Sequence, residues 1–101
     1  MTGPASFTVA DDIQGRLMIR VLYFARVREE LEVAEEELPW QEQITDVASL
    51  IASLCRGRGE TWQRVLSQPN LLFAVNQSLA DMDHPIREGD EVAFFPPVTG
   101  G

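Results

Sequence analysis

The sequence predicts an α+β domain, a mixed sheet of about five strands with a main helix packed on one face. Three observations carry that expectation. Ile19–Ala25 and Glu91–Phe95 are short runs with apolar residues at successive positions, as in strands covered on both faces. Val47, Leu50, Ile51 and Leu54 recur at helical spacing and give one apolar face. The order along the chain inserts helical segments between pairs of strands, and 101 residues suit one domain.

Residues 1–17 differ in character from the rest of the chain, with turn-like Thr2-Gly3-Pro4-Ala5-Ser6 and polar Asp11-Asp12. They are expected to be a leader or a non-native extension, with Met18 as the natural start; a short extra strand around Phe7–Val9 is the alternative. Residues 18–95 form the expected domain, and residues 96–101 the expected tail. In the first strand Ile19, Val21 and Tyr23 share one face and Leu22 and Phe24 the other, so one face should meet a helix and the other more chain or a partner. Arg26–Glu30 is expected to be a polar connection, and Leu31–Leu38 a second strand with an acidic, solvated outer side.

Thr45 is the expected N-cap of the main helix, which should stop near Arg56-Gly57. Cys55 falls inside it as a packed, inert thiol. Glu60–Ser67 predicts a second short helix with Trp62, Val65 and Leu66 turned inward, closed by Pro69-Asn70. Leu71–Asn76 is a strand, Asn76-Gln77 a turn, and Ser78-Leu79-Ala80 a short return strand. His84 lies in the Asp83-His84-Pro85 turn, where no catalytic triad or metal set can be assembled around it. Glu88-Gly89-Asp90 turns into the last strand, which should neighbour the first at the centre of the sheet.

The formal net charge of −8 would repel phosphate backbones and anionic lipid heads, so nucleic acid and membranes are disfavoured as partners and a basic protein surface is favoured. A single cysteine permits no internal disulfide, which fits a reducing cytoplasm.

The C-terminus is the most informative stretch. Pro96-Pro97 stops the last strand, because proline fixes φ and has no N–H for the ladder. Val98-Thr99-Gly100-Gly101 is left beyond it, with a reach of about 13–14 Å when extended. Glycines at a frayed end are common. A tail leaving a buried strand through a stiff spacer, and ending in two residues that let backbone approach closely, also suits a terminal carboxylate handled by a partner.

The chain from Met18 to Gly101 resembles the small subunit of molybdopterin synthase, the MoaD family of ubiquitin-like sulfur carriers. The matching pieces are Val21-Leu22-Tyr23-Phe24-Ala25 followed by Val27-Arg28-Glu29, then Ala74-Val75-Asn76-Gln77 and Asp83-His84-Pro85, and finally Gly89-Asp90-Glu91-Val92-Ala93-Phe94-Phe95-Pro96-Pro97-Val98-Thr99-Gly100-Gly101. The resemblance implies a β-grasp fold. It implies that an E1-like adenylyltransferase uses ATP to adenylate Gly101, that a sulfur-donor protein allows conversion to a thiocarboxylate, and that the tail of Pro97, Val98, Thr99 and Gly100 enters the synthase large subunit. There the sulfur passes to a cyclic pterin monophosphate, and two transfers build the dithiolene of molybdopterin. It further implies a heterotetramer with the large subunit, no metal and no permanently bound cofactor on this chain, and catalytic side chains on the partners. The partner face is expected at Phe24, Leu79 and Phe95, with Arg28 as a polar contact; the alternative is that the three apolar residues belong to the core. Rival readings are a thiazole-type sulfur carrier and an interaction module with an inert tail.

Overall fold

The structure, a computed structural model, describes residues 18–97. β1 (Met18–Tyr23) is followed by α1 (Ala25–Leu31), β2 (Glu35–Pro39), α2 (Val47–Cys55), α3 (Glu60–Leu66), β3 (Leu72–Val75), β4 (Ser78–Ala80) and β5 (Glu91–Phe95). The strands make one sheet in the order β2-β1-β5-β3-β4. As the apolar pattern required, β1 and β5 lie side by side at its centre, running parallel; the other neighbours are antiparallel.

Alternation along the strands decides what each face does. Ile19, Val21 and Tyr23 of β1 and Val92 and Phe94 of β5 are buried, and pair as Val21 with Val92 and Tyr23 with Phe94. Against this inner face pack Val47, Leu50, Ile51 and Leu54 of α2, Val27 and Leu31 of α1, and Val65 and Leu66 of α3. Phe94 is fully buried, stacked on Tyr23 at 5.8 Å and edge-on to Phe73 at 5.7 Å, so the last strand is fixed into the core directly before its diproline. Among the described residues no helix covers the outer face.

The amino end of α2 is held by a capping box. Asp46 accepts from the Ser49 N–H at 2.9 Å, and Ser49 Oγ accepts from the Asp46 N–H at 3.0 Å. The bond from the Ser49 N–H, and a second in which the Ser49 hydroxyl donates to Asp46 Oδ1 at 2.8 Å, hold the Asp46 carboxyl below its ordinary pKa. The expected cap, Thr45, is one residue early. Thr45 instead offers its carbonyl to the Ile86 N–H, while the His84 and Met82 carbonyls accept from the Val47 and Ala48 N–H groups. The loop that holds His84 therefore closes the start of α2 through its backbone, and the His84 side chain is exposed. Among the described residues no group of His, Cys, Asp and Glu could hold a metal ion. No helix there is long and apolar enough to cross a membrane.

A polar cluster ties β1 and β2 to the segment between α2 and α3. Arg58 donates to both Glu36 oxygens at 2.8 and 2.9 Å, the Tyr23 hydroxyl donates to Glu36 at 2.6 Å, and the guanidinium lies 4.4 Å from the Trp62 ring centre. Partial burial alone would push the Glu36 carboxyl up, but the bonds from Arg58 and Tyr23 outweigh it and hold it below the usual range. Burial, reinforced by Glu36, pushes the Tyr23 phenol well above its ordinary value. The fold favours ionised Glu36. Its contribution is complete above the unfolded value near ~4.3 and is lost as pH falls through the lower folded value. Urea midpoints measured from pH 7 to pH 3 should fall on the acid side, and Glu36→Gln should be less stable at pH 7 with a shallower acid decline.

Two expectations are corrected. The segment Arg26–Glu30 is not a connection but the body of α1. Val27 and Leu31, four residues apart, are its buried pair, and Arg26 and Glu30 form an i, i+4 ion pair at 3.7 Å. Leu31 thus ends a helix rather than opening a strand, and β2 begins only at Glu35. Smaller shifts affect β3, which is shorter at both ends than expected, and α3, which ends at Leu66. The possible strand at Phe7–Val9 and the tail Val98–Gly101 lie outside the described residues.

Candidate functional site: the outer sheet face and the tail root

The outer face is built by the residues that alternation turns away from the helices. Leu22 pairs with Ala93, Ala74 pairs with both Ala93 and Leu79, and Leu72 pairs with Phe95. At the end of β1 the Phe24 N–H still donates to the Phe94 carbonyl at 3.1 Å. Ala25, at φ 53, then turns the chain sharply into α1 and leaves the Phe24 ring on the sheet side. A side chain with φ in this region carries strain of about 1–2 kcal/mol. Phe24 lies flat on Phe95, with centroids 5.0 Å apart and planes 7° from parallel.

Phe24, Leu79 and Phe95 therefore converge. They line one shallow groove of about 390 Å³ together with Leu22, Ala74 and Ala93, with Gln77 and Glu91 as polar members. Leu79 is 77% exposed and Phe24 40%, whereas Ala74 and Ala93 form a nearly buried floor. It is the contiguity of these apolar side chains, rather than the exposure of any one of them, that marks an interaction surface. Arg28 is exposed on α1 but is not among the groove's lining residues. The floor residues Ala74 and Ala93 were missed from sequence because alanine carries no strong signal; their place follows only from strand register.

A second groove of about 360 Å³ is lined by Arg26, Val27, Glu30, Gln68, Pro96 and Pro97. Pro96 and Pro97 are half-buried here, and Phe95 directly before them lines the first groove, so the root of the tail follows on one groove and lines the other. The last core contact, Phe94, is only two residues before this root. Cys55 is half-buried against the core, and burial pushes its thiol pKa up while nearby Arg58 opposes the shift. It contributes to neither groove.

A mixed sheet with parallel central strands, helices on one face and an open apolar face beside the C-terminal strand is the β-grasp, the ubiquitin-like class of domain. Comparisons with known proteins agree. The ThiS family matches residues 21–101. The molybdopterin synthase sulfur carrier subunit of Escherichia coli is 44% identical over 84 residues, covering 83% of this chain and 100% of that protein. The subunit of the same name from Mycobacterium tuberculosis is 34% identical over 86 residues, 84% of this chain and 99% of that protein. In a solved complex of subunits 1 and 2 of the molybdopterin-converting factor from Helicobacter pylori, a chain superposes with a TM-score of 0.56 at 24% identity, covering 83% of this chain and 99% of that one, which supports the fold. The protein belongs to the ThiS family, with molybdopterin synthase sulfur carrier subunits among its relatives.

Proposed function

We propose that this protein is the sulfur carrier subunit of a molybdopterin synthase and that its reacting atoms are those of the Gly101 carboxyl. The observation that supports this most strongly is the 44% identity to a carrier subunit across that protein's whole length. The geometry adds a rationale. A central strand fixed into the core by Phe94 leads through a half-buried diproline to the tail, and an open apolar face lies beside that root.

The chemistry asks little of this chain's side chains. A carboxylate is a poor acyl donor until its oxygen becomes a good leaving group. An E1-like adenylyltransferase supplies this by joining a Gly101 oxygen to the α-phosphate of ATP, with loss of pyrophosphate. The outer sulfur of a persulfide on a donor protein then attacks the acyl carbon, the C–O bond to AMP breaks and AMP leaves, and a thiol cleaves the S–S bond of the resulting acyl disulfide to leave the thiocarboxylate and a disulfide. The thiocarboxylate sulfur is the nucleophile that passes to the cyclic pterin monophosphate in the large subunit, and two transfers complete the dithiolene. Gly100 and Gly101 let the reacting carbonyl travel a narrow channel, with Val98, Thr99 and Pro97 as the inserted stem. Phe24, Leu79 and Phe95 form the docking face for the large subunit and the activating enzyme in turn, with Arg28 as a polar contact outside the groove, and two carriers join two large subunits.

Leu79→Asp tests the docking face. The site is so exposed that stability should change by less than about 0.5 kcal/mol. Affinity for the large subunit, measured by calorimetry, should fall about 30-fold or more, the effect of losing a central apolar anchor. Unchanged affinity would remove Leu79 from the interface. The family name also admits a thiazole-type carrier. Deletion separates the two: the carrier proposed here is required for molybdenum enzymes and not for thiamin supply.

A further inference from the structure

The groove on the outer face is apolar at one end and polar at the other. β5 runs along it, and the first and last residues of that strand, Glu91 and Phe95, both line it. Phe95 and the Phe24 ring stacked on it mark the end at the tail root. Gln77 and Glu91, the polar members, belong to the other end, where β5 starts and the β3–β4 hairpin turns. We infer that Gln77 and Glu91 are the part of the docking face that selects the partner. They receive a lysine or arginine side chain of the large subunit, set about 13 Å, four residues of strand, from the apolar contacts at Phe95. This rests on the carrier reading above and deepens it, by assigning the chemistry of what docks at this end.

The backbone gives the first argument. Two residues, Asn76 and Gln77, connect β3 to β4, with φ of 51 and 72. In a two-residue hairpin turn with both φ positive the second place favours glycine, because a Cβ is strained there. Asn76 has a local reason for its conformation. Its N–H donates to the Glu91 carbonyl at 2.7 Å, its side-chain oxygen accepts from the Glu91 N–H at 3.0 Å, and its Nδ2 donates to Asp90 Oδ1 at 3.0 Å. These bonds fix the turn to the start of β5. Gln77 is exposed, and among the described residues its amide has no hydrogen-bond partner. A side chain kept at a strained place, and bonded to nothing described in its own chain, points to a contact outside it. Charge gives the second argument. Glu91 is half-buried and has no ion pair among the described residues. Arg20 lies opposite it in the β1–β5 register, but its guanidinium pairs with Glu35 at 3.0 Å. A partner that covers this groove strips water from the Glu91 carboxylate, and a cation offsets that loss. The Gln77 side-chain oxygen is a second acceptor for the same ammonium or guanidinium. An acidic surface is repelled here, so this end discriminates by charge among the partners that the apolar end attracts.

Calorimetry with the large subunit at several salt concentrations, beside urea unfolding, tests this on Glu91→Gln, Gln77→Gly and Leu79→Asp. Glu42→Gln is the control, an exposed carboxylate in the loop after β2 and outside the groove. Glu91→Gln should lower affinity about tenfold or more, and its affinity should vary less with salt than that of wild type, because one ion pair is gone. Gln77→Gly should be at least as stable as wild type and yet bind about fivefold less tightly, whereas a merely structural turn residue would keep the affinity. Glu42→Gln should bind within about twofold of wild type. If Glu91→Gln or Gln77→Gly binds as tightly as wild type while Leu79→Asp binds weakly, the inference is overturned and the docking face stands. An equal loss in Glu42→Gln would overturn it too, since affinity would then follow net charge. A loss in Glu91→Gln with an unaltered salt dependence would overturn the cationic partner. Failure of wild type to bind the large subunit would instead overturn the carrier reading, and this inference with it.

Discussion

Appending one alanine after Gly101 is expected to abolish molybdopterin formation while leaving thermal stability unchanged. Among the described residues the last core contact is Phe94, and Pro96 and Pro97 beyond it line a surface groove, so a residue added after Gly101, four positions past Pro97, is expected to leave the fold as it is. The proposed reaction, by contrast, depends wholly on where the terminal carboxyl sits. An added residue moves the reacting carbon by about 3.3–3.6 Å along an extended chain and puts a methyl group in a path read as fitting bare glycine. Displacements of about 1 Å at a reacting centre can cost a hundredfold in rate, so activity should fall by at least about that factor. The assay is reconstituted conversion of the pterin precursor with the large subunit, beside a melting curve. Activity near wild type, with the extension shown intact by mass, would remove the terminus from the mechanism.

The neighbours Phe94 and Phe95 should give opposite outcomes. Phe94 faces inward, fully buried between Tyr23 and Phe73. Phe94→Ala leaves a cavity in the centre of the sheet and should cost about 3–5 kcal/mol, read from urea unfolding. That is a large share of the roughly 5–15 kcal/mol typical of a domain, so the variant should be partly unfolded at physiological temperature. Phe95 faces outward, stacked on a Phe24 ring that is itself 40% exposed. Phe95→Ala should cost under about 1.5 kcal/mol in stability, because little core contact is lost. Its effect should appear in affinity for the large subunit, about 10-fold or more, as for loss of an aromatic anchor. Two adjacent phenylalanines would then separate folding from recognition. Equal destabilisation by both would contradict the assignment of faces.

Legibility from sequence varies by element. β1 and β5 were legible because both carry apolar residues at successive positions, which forces them to the centre. α2 was legible from Val47, Leu50, Ile51 and Leu54, all of which are buried. α1 was not. It is short, its N-cap is Phe24 with no side-chain cap, and it opens on Ala25 with a positive φ, so none of the usual starting signals is present. Its one periodic trace, Val27 with Leu31, was hidden by the surrounding charges. The glutamate run then allowed the second strand to be started four residues early. At the site, Phe24, Leu79 and Phe95 were grouped through the resemblance to ubiquitin-like carriers, which implies an apolar patch beside the tail, and strand register brings the three to one groove. The second groove was not, because it joins α1 to the tail root and so required a helix that the sequence did not announce.

The proposed function depends on one chemical event at the end of the main chain, and intact-protein mass spectrometry observes it directly. The purified protein is incubated with the activating enzyme, ATP and a sulfur donor, then weighed and fragmented. A mass gain equal to one oxygen-to-sulfur exchange, localised to Gly101, is the predicted result. No gain under conditions where the Escherichia coli carrier subunit is charged, or a gain localised to Cys55 instead, would contradict it.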